Sequence, residues 1–249
     1  MGKLTGKTAW ITGGGGGIGE ASAKALAASD AHVVVSGRRR EELDRVVAEI
    51  AAAGGSASAI ALDTSENDAV EAAVAEIATA HGGIDIHMAN AGINVPNRSV
   101  ARVTAQDFAR VVDVNLNGVM YGVLAVLPHM RKVGGGTLIL TSSWAGRHAS
   151  KLTGPAYNSS KHAVVALAHS LNQEEAINNI RCTALMPGEV ATPILQSRPV
   201  VPTAEEQSRM LQSEDLGETV RFICEAPAHV CFNEILISPT KNRLFTSIT

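Results

Sequence analysis

Tyr157-Asn-Ser-Ser-Lys161 sets a phenol and an ammonium four residues apart at the start of a helical stretch. That spacing stacks both side chains on one helix face. An ammonium beside a phenol favours phenolate and draws the tyrosine pKa down from its ordinary value of about 10. Such a pair can protonate a carbonyl oxygen or take the proton of an alcohol. Taken alone the pattern is common on surface helices, so its company decides. Upstream, Thr141-Ser142-Ser143-Trp144-Ala145-Gly146 follows a predicted strand at 137–140. Ligand sites in open α/β sheets gather at the carboxyl ends of strands, so a hydroxyl here can hold a substrate oxygen. A GxSxG elbow is absent, which argues against a nucleophilic serine.

A second chemical feature opens the chain. Thr12-Gly-Gly-Gly-Gly-Gly-Ile18-Gly19 follows a predicted first strand and enters an alanine-rich helix. Glycines there allow a tight turn and let the backbone approach a pyrophosphate at the helix N-terminus. Both Gly14-x-Gly16-x-x-Gly19 and Gly13-x-x-x-Gly17-x-Gly19 satisfy dinucleotide patterns, so the letters leave the register open. The second strand ends in Val35-Ser36-Gly37-Arg38-Arg39-Arg40. An acidic residue at this place would take a ribose 2′-hydroxyl; a guanidinium suits a 2′-phosphate. Arg38 therefore predicts NADP(H) over NAD(H), while NAD(H) stays possible.

These groups need a scaffold, and the hydrophobic pattern supplies one. Apolar runs at 8–11, 32–36, 57–62, 84–88, 137–140, 180–185 and 234–237 read as strands covered on both faces. Helical patterns at 19–28, 41–53, 67–81, 104–130, 156–174 and 214–225 lie between them. The alternation predicts an α/β, Rossmann-type, doubly wound parallel sheet of seven strands with helices on both faces. No linker divides the 249 residues, so one dinucleotide-binding and catalytic domain over 1–249 is expected. The irregular stretch 189–213 carries Pro193, Pro199 and Pro202 and is read as a mobile substrate loop.

Composition excludes several classes. A net charge of −3 lacks the basic surplus that nucleic acid needs. Cys182, Cys224 and Cys231 show no CxxC spacing, so neither a disulfide framework nor a zinc site is expected. No other His/Cys/Asp cluster has metal-ligand spacing. The N-terminus shows no apolar leader, and no apolar run was expected to approach a membrane span, which together read as a cytoplasmic protein. The patterns at 104–130 and 156–174 are apolar over much of their circumference, which predicts a homodimer or homotetramer.

In this order the motifs resemble those of the short-chain dehydrogenase/reductase family, in its single-domain branch, over nearly the whole chain. Those carrying the resemblance are Thr12-Gly13…Gly17-Ile18-Gly19, Leu62-Asp63, Asn90-Ala91-Gly92, Val114-Asn115, Ser142-Ser143-Trp-Ala-Gly146, Tyr157-x-x-x-Lys161 and Pro187-Gly188-x-Val190-x-Thr192. The resemblance implies Tyr157 as acid/base and Ser143, rather than Ser142, as the group that orients the substrate oxygen. It implies that Lys161 also holds the nicotinamide ribose, and that Asn115 completes a tetrad through a water. Asp63 would meet the adenine amino group, Asn90 would support the sheet beside the cofactor, and Val190 and Thr192 would meet the carboxamide. Gly13, Gly16, Gly17, Ile18, Gly19, Gly92, Pro187 and Gly188 fall in the same cofactor motifs.

The chain departs from that pattern in three places. Ala89 replaces the first asparagine of NNAG, the Ser143–Tyr157 interval is one residue longer than common, and the C-terminal strand leads into Ser-Pro-Thr240 rather than VDGG. Asn94, Trp144, His148, Pro155, Glu189 and the 194–195 region are the candidate substrate contacts, with Trp144 suiting an apolar or ring-bearing molecule. The expected reaction is hydride transfer between a nicotinamide and a small-molecule ketone or secondary alcohol. An NAD-dependent alcohol or sugar dehydrogenase, and a dinucleotide-binding sensor without catalysis, are the competing readings.

Overall fold

The computed structural model describes residues 2–242. Seven strands form one parallel sheet: β1 Thr8–Thr12, β2 His32–Gly37, β3 Ser56–Ala61, β4 Ile86–Ala89, β5 Gly136–Thr141, β6 Ile180–Pro187 and β7 Glu234–Ile237. Their order is β3-β2-β1-β4-β5-β6-β7, so the winding reverses between β1 and β4. A crevice opens at that reversal, beyond the carboxyl ends of the strands. The doubly wound α/β class expected from the alternation is the one observed.

The strand period of two sorts the core into two layers. Trp10, Val34, Leu138 and Leu140 face one way and pack with Val74, Val123 and Val164. Ile11, Val33, Val35 and Ile139 face the other way and pack with Leu26, Val46 and Val220. The helices are α1 Gly17–Ala27, α2 Arg40–Ala52, α3 Asn67–His81, α4 Ala105–Val112, α5 Gly118–Val133, α6 Pro155–Glu175, α7 Ala204–Ser208 and α8 Ser213–Glu225. The first layer is thus covered by α3, α5 and α6, the second by α1, α2 and α8.

Two sequence readings change. The single helix expected at 104–130 is a rod, Ala105–Val133, interrupted by a π-type turn at Asp113–Asn117. By length and hydropathy this rod could cross a membrane, contrary to the expectation from local apolar runs. Here Val119, Val123, Val126, Leu127 and Met130 bury its inner face in the core. The stretch 189–213, expected to be irregular, holds a 3₁₀ turn at Pro193–Ser197 and the short α7, with a bridge between Val190 and Leu211. A helix of five residues leaves no periodic pattern in the sequence; α7 starts from a capping box, Thr203 with Glu206.

Candidate active site

The loops that follow β1, β2, β4, β5 and β6 enclose a cleft of about 450 Å³. At one end lies the glycine turn. Gly13 and Gly17 have φ of 67° and 55°, a backbone region that favours glycine. A Cβ on Gly19 would stand 2.2 Å from the Gly13 carbonyl oxygen, so α1 starts flush against the end of β1. Gly13, Gly17 and Gly19 are thus each held by conformation or close approach, and Gly14, whose Cβ would stand 2.7 Å from Val35 Cβ, is confined as well. A Cβ on Gly16 would meet nothing within 4 Å, and Gly16 lines the cleft. No side chain caps α1, which leaves its first N–H donors for an incoming anion. The residues present therefore fit a dinucleotide pyrophosphate.

Asn90 ties this end together. Its Nδ2 donates to the Gly13 oxygen at 3.3 Å and its Oδ1 accepts from Thr141 Oγ1 at 3.3 Å. Its backbone N–H and that of Ala91 both donate to Thr12 Oγ1. One residue thus joins the ends of β1, β4 and β5, while Ala89, in place of the family's asparagine, is buried in β4. Gly37, Arg38 and Arg39 form the wall beyond β2. The Arg38 guanidinium is largely exposed and stands 4.0 Å from Asp63. Asp63 lies off the cleft lining. Burial would raise its carboxyl, but bonds from Ser65 and the charges of Arg38 and Arg110 hold it below the ordinary range.

The side of the cleft that holds Tyr157 is built on α6 and the loop after β5. Tyr157 and Lys161 share a face of α6 next to Ser143, and all three line the cleft. Lys161 Nζ lies 5.6 Å from the Tyr157 ring centre and donates to the Thr141 oxygen at 2.7 Å. Burial pushes the Lys161 amine down to about 8. Burial also pushes the Tyr157 phenol above 10, opposed by a hydrogen bond with Ser143 and by the charges of Arg98 and Arg198. The depression expected from Lys161 is therefore not the net shift: desolvation of the phenol outweighs the cations.

Ser142 and Ser143 separate cleanly. Ser142 also lines the cleft, but it is 2% exposed and its hydroxyl donates to the Lys161 carbonyl at 2.7 Å, so that donor is already spent on anchoring α6. Asn115 sits within the π-type turn, fully buried and off the lining. Its Oδ1 accepts from Ile93 N at 2.8 Å, and its Nδ2 donates to the Ile93 oxygen at 3.0 Å. The turn thus fastens the loop after β4 against the base of the Lys161 site. A Cβ on Gly92 would touch both Asn115 Oδ1 and Lys161 Nζ at 3.4 Å.

Beyond β6, Pro187, Gly188, Glu189, Val190 and Thr192 close the remaining side. Thr192 packs over the glycine turn, with its Cγ2 3.1 Å from where a Gly17 Cβ would be. Asn94, Trp144, His148, Glu189, Ile194 and Leu195 line the end of the cleft away from the glycine turn; Pro155 is not on the lining and instead opens α6. The Trp144 and His148 rings meet at a tilt of 31°, with their centres 4.6 Å apart. Sequence reasoning missed Arg98 and Arg198, which line the same end. They lie 100 positions apart in different loops, and no local spacing rule links them.

Residues 7–200 match the short chain dehydrogenase family. Dehydrogenase/reductase SDR family member 4 of Oryctolagus cuniculus is 32% identical over 241 residues, covering 94% of this chain and 92% of that protein. A cyclohexanol dehydrogenase of Acinetobacter sp. is 33% identical over 224 residues, covering 89% and 88%. An alcohol dehydrogenase from the archaeon Thermococcus sibiricus, solved with 5-hydroxy-NADP, matches the fold with a TM-score of 0.84 at 28% identity. The match covers 94% of this chain and 97% of that one.

Proposed function

The chain belongs to the short chain dehydrogenase family and is an oxidoreductase acting on CH–OH groups; from that premise we propose an NADP(H)-dependent enzyme that interconverts a ketone and a secondary alcohol with Tyr157 as acid/base. The observation that carries this reading is the convergence of Tyr157, Ser143 and Lys161 on one cleft whose other end is a glycine turn. Nicotinamide supplies the hydride when bound. Gly13, Gly16, Gly17, Ile18 and Gly19 would hold the pyrophosphate, and Val190 and Thr192 the carboxamide end. Arg38, with no carboxylate at the end of β2, favours a 2′-phosphate over a hydroxyl.

In the reducing direction Tyr157 gives its proton to the substrate oxygen. A phenol held above 10 is fully protonated at neutral pH, which suits it to act as an acid. Ser143 polarises the same oxygen. Lys161 keeps a positive charge below pH of about 8 and so stabilises the phenolate left behind. Asn115 holds the loop that frames Lys161. The chain works as one catalytic unit, with residues 189–213 as its substrate flap, in the cytoplasm. Exposed Phe108 and Leu124 on the Ala105–Val133 rod support assembly as a homodimer or homotetramer, which light scattering at micromolar concentration reads directly.

Steady-state rates with NADPH and NADH against a ketone panel test the proposal. Wild type should favour NADPH at least ~10-fold in kcat/KM, the scale of a charge-assisted contact. Tyr157→Phe should lower kcat at least ~100-fold, as loss of a positioned acid does, while the Kd for NADPH changes little. Equal use of both cofactors, or a Tyr157→Phe variant near wild-type kcat, would contradict it.

A further inference from the structure

The substrate end of the cleft holds two guanidinium groups that proton and hydride transfer do not require. Arg98, 8% exposed, donates from Nε to the Val95 oxygen at 2.9 Å, from Nη1 to the Leu152 oxygen at 3.3 Å and from Nη2 to the Ser197 oxygen at 2.9 Å. A guanidinium has five N–H donors. These three bonds orient it, yet their acceptors are neutral carbonyls and leave its charge uncancelled. Arg198, whose side chain is also largely buried, bonds Glu189 Oε1 through Nη1 at 2.8 Å. Both arginines line the cleft with Tyr157 and Ser143. Among Arg98, Arg198 and Glu189, one positive charge is in excess.

That excess is costly, and the chain as a whole is acidic, with a net charge of −3. Burial and the neighbouring Arg198 both work against charge on Arg98, and the phenol of Tyr157 feels both cations. Arginine does not escape such a site by losing its proton. Tying three loops together would need only neutral donors such as amides, without the price of a buried cation. A cost of this kind, in a cleft and beside the reacting group, marks a place where a ligand brings the opposite charge.

Resting on the oxidoreductase reading above, we infer that the substrate carries a carboxylate, which Arg98 and Arg198 receive while its carbonyl or hydroxyl lies at Tyr157 and Ser143. The preferred class is therefore an oxo acid, or in reverse its hydroxy acid. In reduction the carbonyl carbon gains the hydride of NADPH and its oxygen gains the proton of Tyr157; NADPH becomes NADP⁺ and the carboxylate is unchanged. Trp144 and Ile194 in the same lining give the carbon body an apolar seat. A planar carboxylate matches the fork of a guanidinium better than it matches an ammonium.

The test pairs oxo acids of increasing carbonyl-to-carboxylate spacing, from pyruvate through levulinate, each with its methyl ester. At the favoured spacing the acid should exceed the ester in kcat/KM at least ~10-fold. This ratio does not depend on how much of a variant folds. Arg98→Met and Arg198→Met should each bring it close to unity, and Arg98→Lys should leave it in between. Benzoate, which is not reduced, should raise the melting temperature of the wild type more than benzamide does, and Arg198→Met should remove the difference. Acid-to-ester ratios near unity at every spacing, or ratios unmoved by the variants, overturn the inference while leaving the oxidoreductase reading intact. Failure to reduce any acid or ester while another ketone of the panel above is reduced overturns the inference too; failure on every ketone with NADPH or NADH overturns that reading instead. Benzoate and benzamide still decide the anion site in that case, and equal shifts refute it.

Discussion

At the β1–β2 end of the cleft the turn is backbone, with Arg38 and Arg39 beyond it. Gly13 and Gly17 turn the chain, Gly19 lets α1 touch β1, and Asn90 bonds a main-chain carbonyl there. At the opposite end the wall is side chain. Arg98, Asn94, Trp144, His148, Glu189 and Arg198 come from three separate loops and meet only in the fold. A backbone site recognises what every member of a cofactor class shares, a pyrophosphate at a helix N-terminus. A side-chain site recognises what distinguishes one substrate from another. The two ends should therefore fail differently when altered, the first through the scaffold and the second through specificity.

The largest effect is expected at the backbone end. Gly19→Ala adds a methyl 2.2 Å from the Gly13 oxygen and 2.7 Å from Asn90 Nδ2. Alanine would gain about 1 kcal/mol in helix propensity, but a main-chain oxygen cannot move aside as a side-chain tip can. Overpacking of that kind costs about 3 kcal/mol, so the clash wins by about 2 kcal/mol. Urea denaturation should show a lower midpoint, and titration should show NADPH affinity reduced at least ~10-fold. Unchanged stability and affinity would mean that close approach of α1 to β1 does not shape this end.

The same contrast explains what could be read before the fold was known. Gly13, Gly17, Gly19, Tyr157 and Lys161 lie within local windows where spacing alone constrains geometry, a turn in one case and a helix face in the other. The seven strands were legible because β-branched runs buried on both faces stand out against alanine-rich helices. Only the family resemblance, through the interval to Gly146, separates Ser143 from Ser142 in the sequence; what the sequence hides is that the hydroxyl of Ser142 finds the Lys161 carbonyl 19 residues away. The π-type turn at Asn115 leaves no periodic trace, since its reason is the Ile93 backbone. Arg98 carries no local signal, because its acceptors on Leu152 and Ser197 lie 54 and 99 residues away.

Lys161 stands between the two ends and sharpens the contrast through pH. Its amine is held at about 8 by burial, against 10.5 in the open chain. Below pH 8 both states carry the proton, and the folded state bears the full cost of a buried charge. Between 8 and 10.5 the folded amine is neutral while the unfolded one is still charged, so this group's contribution to stability rises with pH. Lys161→Met removes that cost, about 3 kcal/mol, and loses the bond to the Thr141 oxygen, about 1 kcal/mol. The variant should thus be inactive yet more stable than wild type by about 2 kcal/mol at pH 7, with the advantage vanishing by about pH 9.5 and reversing as pH approaches 10.5. Denaturation midpoints at pH 7 and 10 measure this. A variant less stable at pH 7 would show that the amine is a structural anchor, like Asn90, rather than a strained functional group.

The smallest effect belongs to the substrate end. Asn94 Nδ2 donates to the Thr153 oxygen at 3.0 Å, and its Oδ1 accepts from Val95 N at 2.8 Å. These bonds connect the loop after β4 to the loop before α6, beside Arg98. Asn94 is half-buried, so water can replace part of what Asn94→Ala removes, and the loss in stability should be about 1 kcal/mol. Its Kd for NADPH should stay within about twofold of wild type, because no contact of Asn94 reaches the glycine turn. The KM for the favoured substrate should instead rise several-fold, since the loop carrying Arg98 loses one of its supports. A variant that weakened NADPH binding as much as substrate binding would mean that the two ends are one mechanical unit, and their separation would have to be abandoned.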